Sequence, residues 1–392
     1  MSARQHAGKP RVLAFADGRD SLVAACRVHA PLRALQRAGL IGAYVVTDAT
    51  LRGAPASGSF DVVWLQRGAD AWLARALAAR LEDRYLLDLD DHLLCRPTFL
   101  EPWELPDAGA LTTALGACRV LTTPSARLVG LLERRAGLAL AGKARTCRNA
   151  VEFGGTPGRA PSPPTAILLT QGHRLALMES AEEVLGAISV ASARHGLPIW
   201  SLGALPEALR ASAAAAGATL STLVPRTWAQ YHAGLAAGPA LLGVAPLETR
   251  GDPATNEFVA GKSDVKMVEF GGFGHPAVYS RAAPYVDTDL ACGRLADNDA
   301  ASWTAALDEL CEDGWRALAD EQRAVREKRD LAQVSAESWL PAIRAAQLTE
   351  PVDAARLLST LDRLRARARE EMSRARWHLR PRRAATRLRA QT

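Results

Sequence analysis

Short apolar runs recur through this chain, and a helix-like stretch follows nearly every one. Arg11–Phe15 (RVLAF), Ala43–Thr47 (AYVVT), Asp61–Gln66 (DVVWLQ), Tyr85–Leu89 (YLLDL) and Arg119–Thr122 (RVLT) read as strands. Between them lie a helical pattern over Leu22–Ala38 that Gly39 ends, an Ala/Leu/Arg helix after Gln66, and a helix around Ala126–Arg135. Strands alternating with helices predict βαβ units and a parallel sheet. The Pro/Gly-rich stretch Gly154–Pro164 (GGTPGRAPSPP) interrupts the series and reads as a linker. A second series follows, with strands at Ala166–Thr170, Pro198–Leu202, Leu241–Ala245 and Pro276–Ser280. Its helices are expected at Ala181–Arg194 and from about Ala301 to Leu331. Two α/β domains of similar size imply a cleft between them. Open parallel sheets bind ligands at the carboxyl ends of their strands, so that cleft is the expected site.

The expected division is 1–155, a linker at 156–164, a second domain at 165–340, and C-terminal helices with an Arg-rich tail at 341–392. Leu357, Leu358, Leu361, Leu364 and Ala368 form an apolar stripe on the first of those helices. The length, 392 residues, exceeds one ordinary domain. Hydrophobic content of 48% with 23% charged residues excludes a disordered or collagen-like chain. There is no uncharged apolar run of about 18 residues or more, so no membrane-spanning helix is expected. Arg4 and Lys9 have no apolar core behind them, which predicts no secretory leader. Six scattered cysteines without a C-x-x-C pair argue against a disulfide framework or a zinc site and fit a reducing cytoplasm.

The net charge of +6 is concentrated in one place. Residues 361–392 hold eleven Arg against Asp362, Glu370 and Glu371, which leaves the other 360 residues at −2. A near-neutral body argues against nucleic acid as the partner. The tail, with Trp377 and Leu379, suits peripheral contact with anionic lipid headgroups on the inner face of a membrane or with an acidic glycan. A solvated tail packing on a neighbour accounts for it equally well.

Only five Lys stand against 43 Arg, and two of the five, Lys262 and Lys266, lie four residues apart. They fall in NEFVAGKSDVKMVEFGGFGHPAVYS (Asn256–Ser280). Ser263 is a plausible N-cap, with Asp264 in the first turn. Both lysines then sit where a helix already carries partial positive charge. An anion at that terminus resolves the conflict, and the Ser hydroxyl and backbone N–H groups suit a phosphate or diphosphate. Glu269 falls on the same face, where a carboxylate can accept from a ribose diol. Gly271, Gly272 and Gly274 are expected to break the helix. The alternative is a surface helix with an ordinary Lys/Glu pair at i,i+3.

The run GVAPLE (243–248), then Asn256 and Phe258, then KSDVKMVEFGGFGHPAVYS (262–280), resembles the donor-binding half of GT-B nucleotide-sugar glycosyltransferases. It is most similar to bacterial members of the retaining family related to sucrose and glycogen synthases. RVHAPLRALQRAG (27–39), DVVWLQR (61–67), LDLDDHL (87–93), Arg148–Val151 and TQGH (170–173) resemble other parts of that family more weakly. The resemblance implies two Rossmann-like domains facing across a cleft, and sugar transfer from a nucleoside diphosphate sugar, of UDP or GDP type, to an acceptor hydroxyl. The acceptor would be a surface polysaccharide, a lipid-linked glycan or a protein. It implies Glu269 as the ribose ligand and Lys262, Ser263 and Lys266, with Arg174, at the diphosphate. The family's first Glu falls at Gly261, so Asn256 and Glu257 are expected to touch the donor sugar. The Gly-rich turn after the first strand is reduced to Asp17-Gly18-Arg19-Asp20. This fold ordinarily holds a diphosphate without a metal, so neither metal nor cofactor is expected.

Asp88, Asp90, Asp91 and His92 end a strand that points into the expected cleft. Asp90, Asp91 and His92 are the expected catalytic groups, orienting an acceptor hydroxyl or taking its proton. A solvated loop with a capping Asp is the plain alternative. Arg27 and His29 suit a structural or a site role equally, and His195, His232 and His275 read as structural. Two rival readings remain: a nucleotide-sugar epimerase of the same fold, and a non-catalytic scaffold that binds through its tail.

Overall fold

The computed structural model describes residues 8–370 apart from 19–20, 55–56, 69, 101–104, 154–157, 171–179, 204 and 225–226. His173, Arg174, part of the linker and the tail beyond residue 370 thus lie outside the described residues.

Two six-stranded sheets dominate the described residues, and every strand pair in them is parallel. The first contains β1 (Val12–Phe15), β2 (Tyr44–Thr47), β3 (Val62–Gln66), β4 (Leu86–Asp88), β5 (Val120–Thr123) and β6 (Ala144–Thr146), in the order β2-β1-β3-β4-β5-β6. The second contains β7 (Ile167–Leu169), β8 (Ile199–Leu202), β9 (Leu220–Leu223), β10 (Leu242–Ala245), β11 (Ala277–Ser280) and β12 (Arg294–Ala296), in the order β9-β8-β7-β10-β11-β12. Helices cover both faces, so the central strands are buried on both sides and read as unbroken apolar runs. The strand order reverses beside β1 in one sheet and beside β7 in the other, and a crevice opens there at the carboxyl ends.

The edge strands β6 and β9 escape the sequence pattern because their residues are mostly exposed and polar or mixed. Around the first crossover, Leu22–Ala24, a π-helical segment Ala25–His29 and the helix Ala30–Arg37 run on continuously. Gly271 and Gly272 do not break their helix, which runs Val265–Phe273 and ends at Gly274 in the left-handed region. They are small because other side chains press on that helix. A Cβ on Gly272 would lie 2.3 Å from the Phe153 ring.

From Leu331 onward the chain packs on the first sheet, although the sequence assigns residues to 340 to the second domain. Leu331, Val334, Trp339, Leu340 and Ile343 share a core with Val12, Ala14, Trp64 and Leu86. Trp339 stacks on Trp64 with ring centroids 4.9 Å apart. A helix over 354–370 lays Leu357, Leu358 and Leu361 on the other face of that sheet. Among the described residues no helix is long and apolar enough to cross a membrane. Trp339→Ala should remove about 3–5 kcal/mol from the unfolding free energy of the first half, read by urea denaturation.

Candidate functional site

A cavity of about 490 Å³ lies between the sheets. Arg67, Asp90 and Asp91 reach it from the carboxyl ends of β3 and β4, and Thr170, Gly203, Val224 and Leu247 from those of β7–β10. Lys262, Ser263, Lys266 and Glu269 enter from the start of the Val265–Phe273 helix. The structure thus brings together most of the residues that the sequence singles out. Leu202, Val224 and Trp228 make one side apolar.

Glu269 is fully buried. Its Oε2 accepts from Lys266 Nζ at 2.7 Å and from Tyr231 Oη at 3.1 Å, and His232 Nε2 lies 3.4 Å from Oε1. Burial alone would raise its pKa, but Lys266 and His232 outweigh that and hold it at about 2. His232, which the sequence presents as structural, therefore braces the expected ribose ligand. Its signal was weak, because a lone His on a helix names no partner.

The helix begins one residue later than the sequence reading. Asp264 stands at the N-cap without a capping side-chain bond, because its carboxylate accepts from Thr288 and from Arg329. Ser263 Oγ accepts from Asn149 Nδ2 at 2.7 Å, a bond that crosses from the first half to the second. Asn149 Oδ1 in turn accepts from Arg27 Nη1 at 3.0 Å.

The acidic cluster divides. Asp88 is fully buried under the cleft, where its Oδ1 meets Arg27 Nη2 at 2.5 Å and Thr122 Oγ1 at 2.8 Å. Burial opposes the Arg27 charge, yet Asp88 more than offsets it and moves the guanidinium pKa above its ordinary value. Asp90 and Asp91 do face the cavity, and Arg67 grips both: Nε to Asp90 at 2.6 Å, Nη2 to Asp91 at 2.8 Å. Lys262 Nζ approaches Asp91 from the other side at 3.4 Å.

His92, Asn256 and Glu257 do not join them. His92 is buried outside the cavity lining, with Nε2 3.1 Å from Glu257 Oε1. Asn256 donates to Gly251 O at 2.6 Å. The cause is Gly261, whose backbone presses on His92 so closely that a Cβ there would lie 2.4 Å from His92 Cβ. The Pro253–Ala260 helix thereby packs on the loop after β4, with Glu257 turned to His92 and away from the cleft. His29 is absent from the cavity lining, His195 pairs with Asp308, and His275 sits in backbone hydrogen bonds.

The two halves are joined across this site. Arg127, on the Ala126–Ala136 helix, donates to Ala260 O, Lys262 O and Ala283 O. Arg148 meets Asp289, and Thr98 Oγ1 donates to Asp252 at 2.8 Å.

Two facing Rossmann-like sheets with the cleft at their carboxyl ends constitute the GT-B fold. Solved structures of the same fold include sucrose-phosphate synthase from Thermosynechococcus elongatus, with a TM-score of 0.58 at 13% identity over 84% of this chain and 97% of that one. HepE from Anabaena, in complex with UDP and glucose, gives 0.54 at 13% over 84% and 98%. The catalytic domain of starch synthase IV from Arabidopsis thaliana, bound to ADP and acarbose, gives 0.51 at 10% over 84% and 99%. No family model matches the chain, and no curated protein matches it by sequence.

Asp88→Asn should destabilise the first half by about 3–5 kcal/mol, because it leaves the Arg27 charge buried without a counterion. Adding Arg27→Met should recover much of that loss in the same denaturation experiment. The low Glu269 pKa stabilises the folded state above the ordinary carboxyl value of 4.5, and this contribution fades as pH falls toward about 2. The stability difference between wild type and Glu269→Gln should therefore stay level from pH 7 to 5 and shrink at lower pH.

Proposed function

We propose that this chain transfers a sugar from a nucleoside diphosphate sugar to an acceptor hydroxyl. The observation that carries the reading is the cluster of Lys262, Ser263, Lys266 and Glu269 at a helix start in the cleft of a GT-B fold. Two of the named neighbours are a sucrose-phosphate synthase and a starch synthase, and two hold UDP or ADP. In this reading the second half, about residues 165–330, binds the donor, and the first half, about 8–155, presents the acceptor.

The diphosphate lies across the helix start, within reach of Lys262 and Lys266, and Ser263 Oγ donates to it. Lys266 then exchanges Glu269 for phosphate, and Glu269 turns to the ribose hydroxyls. One ion pair is thus replaced by two ligand contacts, and no buried charge is left alone. The two ammonium groups stabilise the negative charge that develops on the leaving diphosphate. Leu202, Val224 and Trp228 form the apolar wall suited to the base.

Asp90 and Asp91 hold the acceptor hydroxyl by hydrogen bonds. Arg67 spans both carboxylates, which favours an orienting role over the free base that an epimerase needs. Retention of configuration is the outcome that the sequence resemblance implies.

Calorimetric titration of UDP, GDP, ADP and dTDP tests the reading. One of them should bind, and Lys266→Ala and Glu269→Gln should each weaken that binding about tenfold or more. The matching nucleotide sugar should then release its nucleoside diphosphate in the presence of acceptor. Absence of binding by all four nucleotides would sink the proposal.

A further inference from the structure

We propose that His92, Cys95 and Glu257 form a zinc site that fastens the two halves together beside the cleft. The residues come from both sides. His92 and Cys95 stand in the loop after β4, and Glu257 on the Pro253–Ala260 helix. One ligand atom from each lies within 4.8 Å of the other two. His92 Nε2 is 3.1 Å from Glu257 Oε1, and Cys95 Sγ is 3.8 Å from Glu257 Oε2. Donors in a tetrahedral zinc site, with bonds of about 2.0–2.3 Å, stand about 3.3–3.7 Å apart. The two measured separations, to the two oxygens of Glu257, lie just either side of that range, and with all three ligand atoms within 4.8 Å of one another the cluster contracts about a bound metal.

The donor set selects the metal. A thiolate with an imidazole and a carboxylate suits zinc, whereas magnesium and calcium take oxygen ligands. Charge balances as well. Cys95 and Glu257 supply two negative charges against Zn²⁺, which leaves a neutral centre around two residues without solvent exposure, His92 and Cys95. The Cys95 thiol, which donates to Ala254 O at 3.0 Å, loses its proton to solvent as the metal binds. Arg135 stands at the rim, with its guanidinium 4.0 Å from Cys95 Sγ and from Glu257 Oε2. Its side chain is 46% exposed, so it swings into water and frees the fourth position for a water ligand.

The consequence reaches the cleft. His92 follows Asp91 directly, and Glu257 precedes Lys262 by five residues, on the helix that leads into the turn carrying Lys262. A metal held from both sides sets the spacing at which Asp91 and Lys262 face each other. The site stands whether or not the cleft binds nucleotides.

The test uses the full chain, reduced, stripped with a chelator and titrated with Zn²⁺ against a chromophoric competitor, then with Co²⁺. Wild type should take up one Zn²⁺ per chain and melt at a higher temperature with it. Co²⁺ should give a thiolate charge-transfer band. Cys95→Ala should abolish the band, and Cys95→Ala and Glu257→Gln should each weaken Zn²⁺ binding about tenfold or more. Should Cys95→Ala fail to fold by circular dichroism, wild type and the near-isosteric Glu257→Gln decide. Failure of wild type to bind stoichiometric metal overturns the proposal. So does affinity that Glu257→Gln leaves unchanged, because the metal then sits elsewhere.

Discussion

Arg27 lies under the floor of the cleft with almost no solvent contact, and its guanidinium is shared among three parts of the chain. Asp88 takes two of its nitrogens, and Cys147 O and Asn149 Oδ1 take the third. Its flat face rests 4.6 Å from the Trp339 ring centroid. An ion pair withdrawn from water costs several kcal/mol per ion, and only full hydrogen bonding offsets that cost. This pair is therefore stable in one arrangement, which holds the end of β4, the segment after β6 and the returning C-terminal helices in fixed relation. Through Asn149 the same arrangement extends to Ser263, at the entrance of the helix that carries Lys266 and Glu269.

Charge in the cleft is arranged by exchange. Among the cavity-lining residues, Arg27, Arg67, Lys262 and Lys266 face Asp90, Asp91 and Glu269, and Arg27 is already committed to Asp88 beneath them. Arg67, Lys262 and Lys266 each sit beside a carboxylate that a ligand hydroxyl can also satisfy. A ligand that brings phosphates together with a sugar diol can replace those pairs in one step. A bare anion would leave Glu269 buried beside fewer cations. In the proposed reading, this arrangement favours a molecule carrying both groups.

The covalent path adds a second constraint. The chain passes from the first half to the second after Val151 and returns near Arg329, and the two crossings are bonded to each other. Val151 N donates to Arg329 O at 3.1 Å, and Leu331 N donates to Val151 O at 3.0 Å. Relative movement of the halves must pivot about this pair. The contacts farther out, from Arg127, Thr98 and His92, are the ones that opening would break.

The pattern of short apolar runs and helices was sufficient to read the buried strands of the two parallel sheets, because strands buried on both faces have no polar positions to blur them. That Lys262, Lys266 and Glu269 would lie close together was legible too, since Lys266 and Glu269 stand three apart on one helix and Lys262 lies just before its start. What the sequence alone did not decide is direction. Asp88, Asp90, Asp91 and His92 are neighbours in the chain, yet a residue or two along an extended loop turns a side chain from the cavity into the core. Asp88 went to a buried arginine, Asp90 and Asp91 to the cleft, and His92 to Glu257 and Cys95. The partners that draw each of them, Arg27, Arg67 and Glu257, are 61, 23 and 165 residues away. Local sequence sets which groups are available. Only the packing of the two halves, down to the absence of a side chain at Gly261, decides which of them meet.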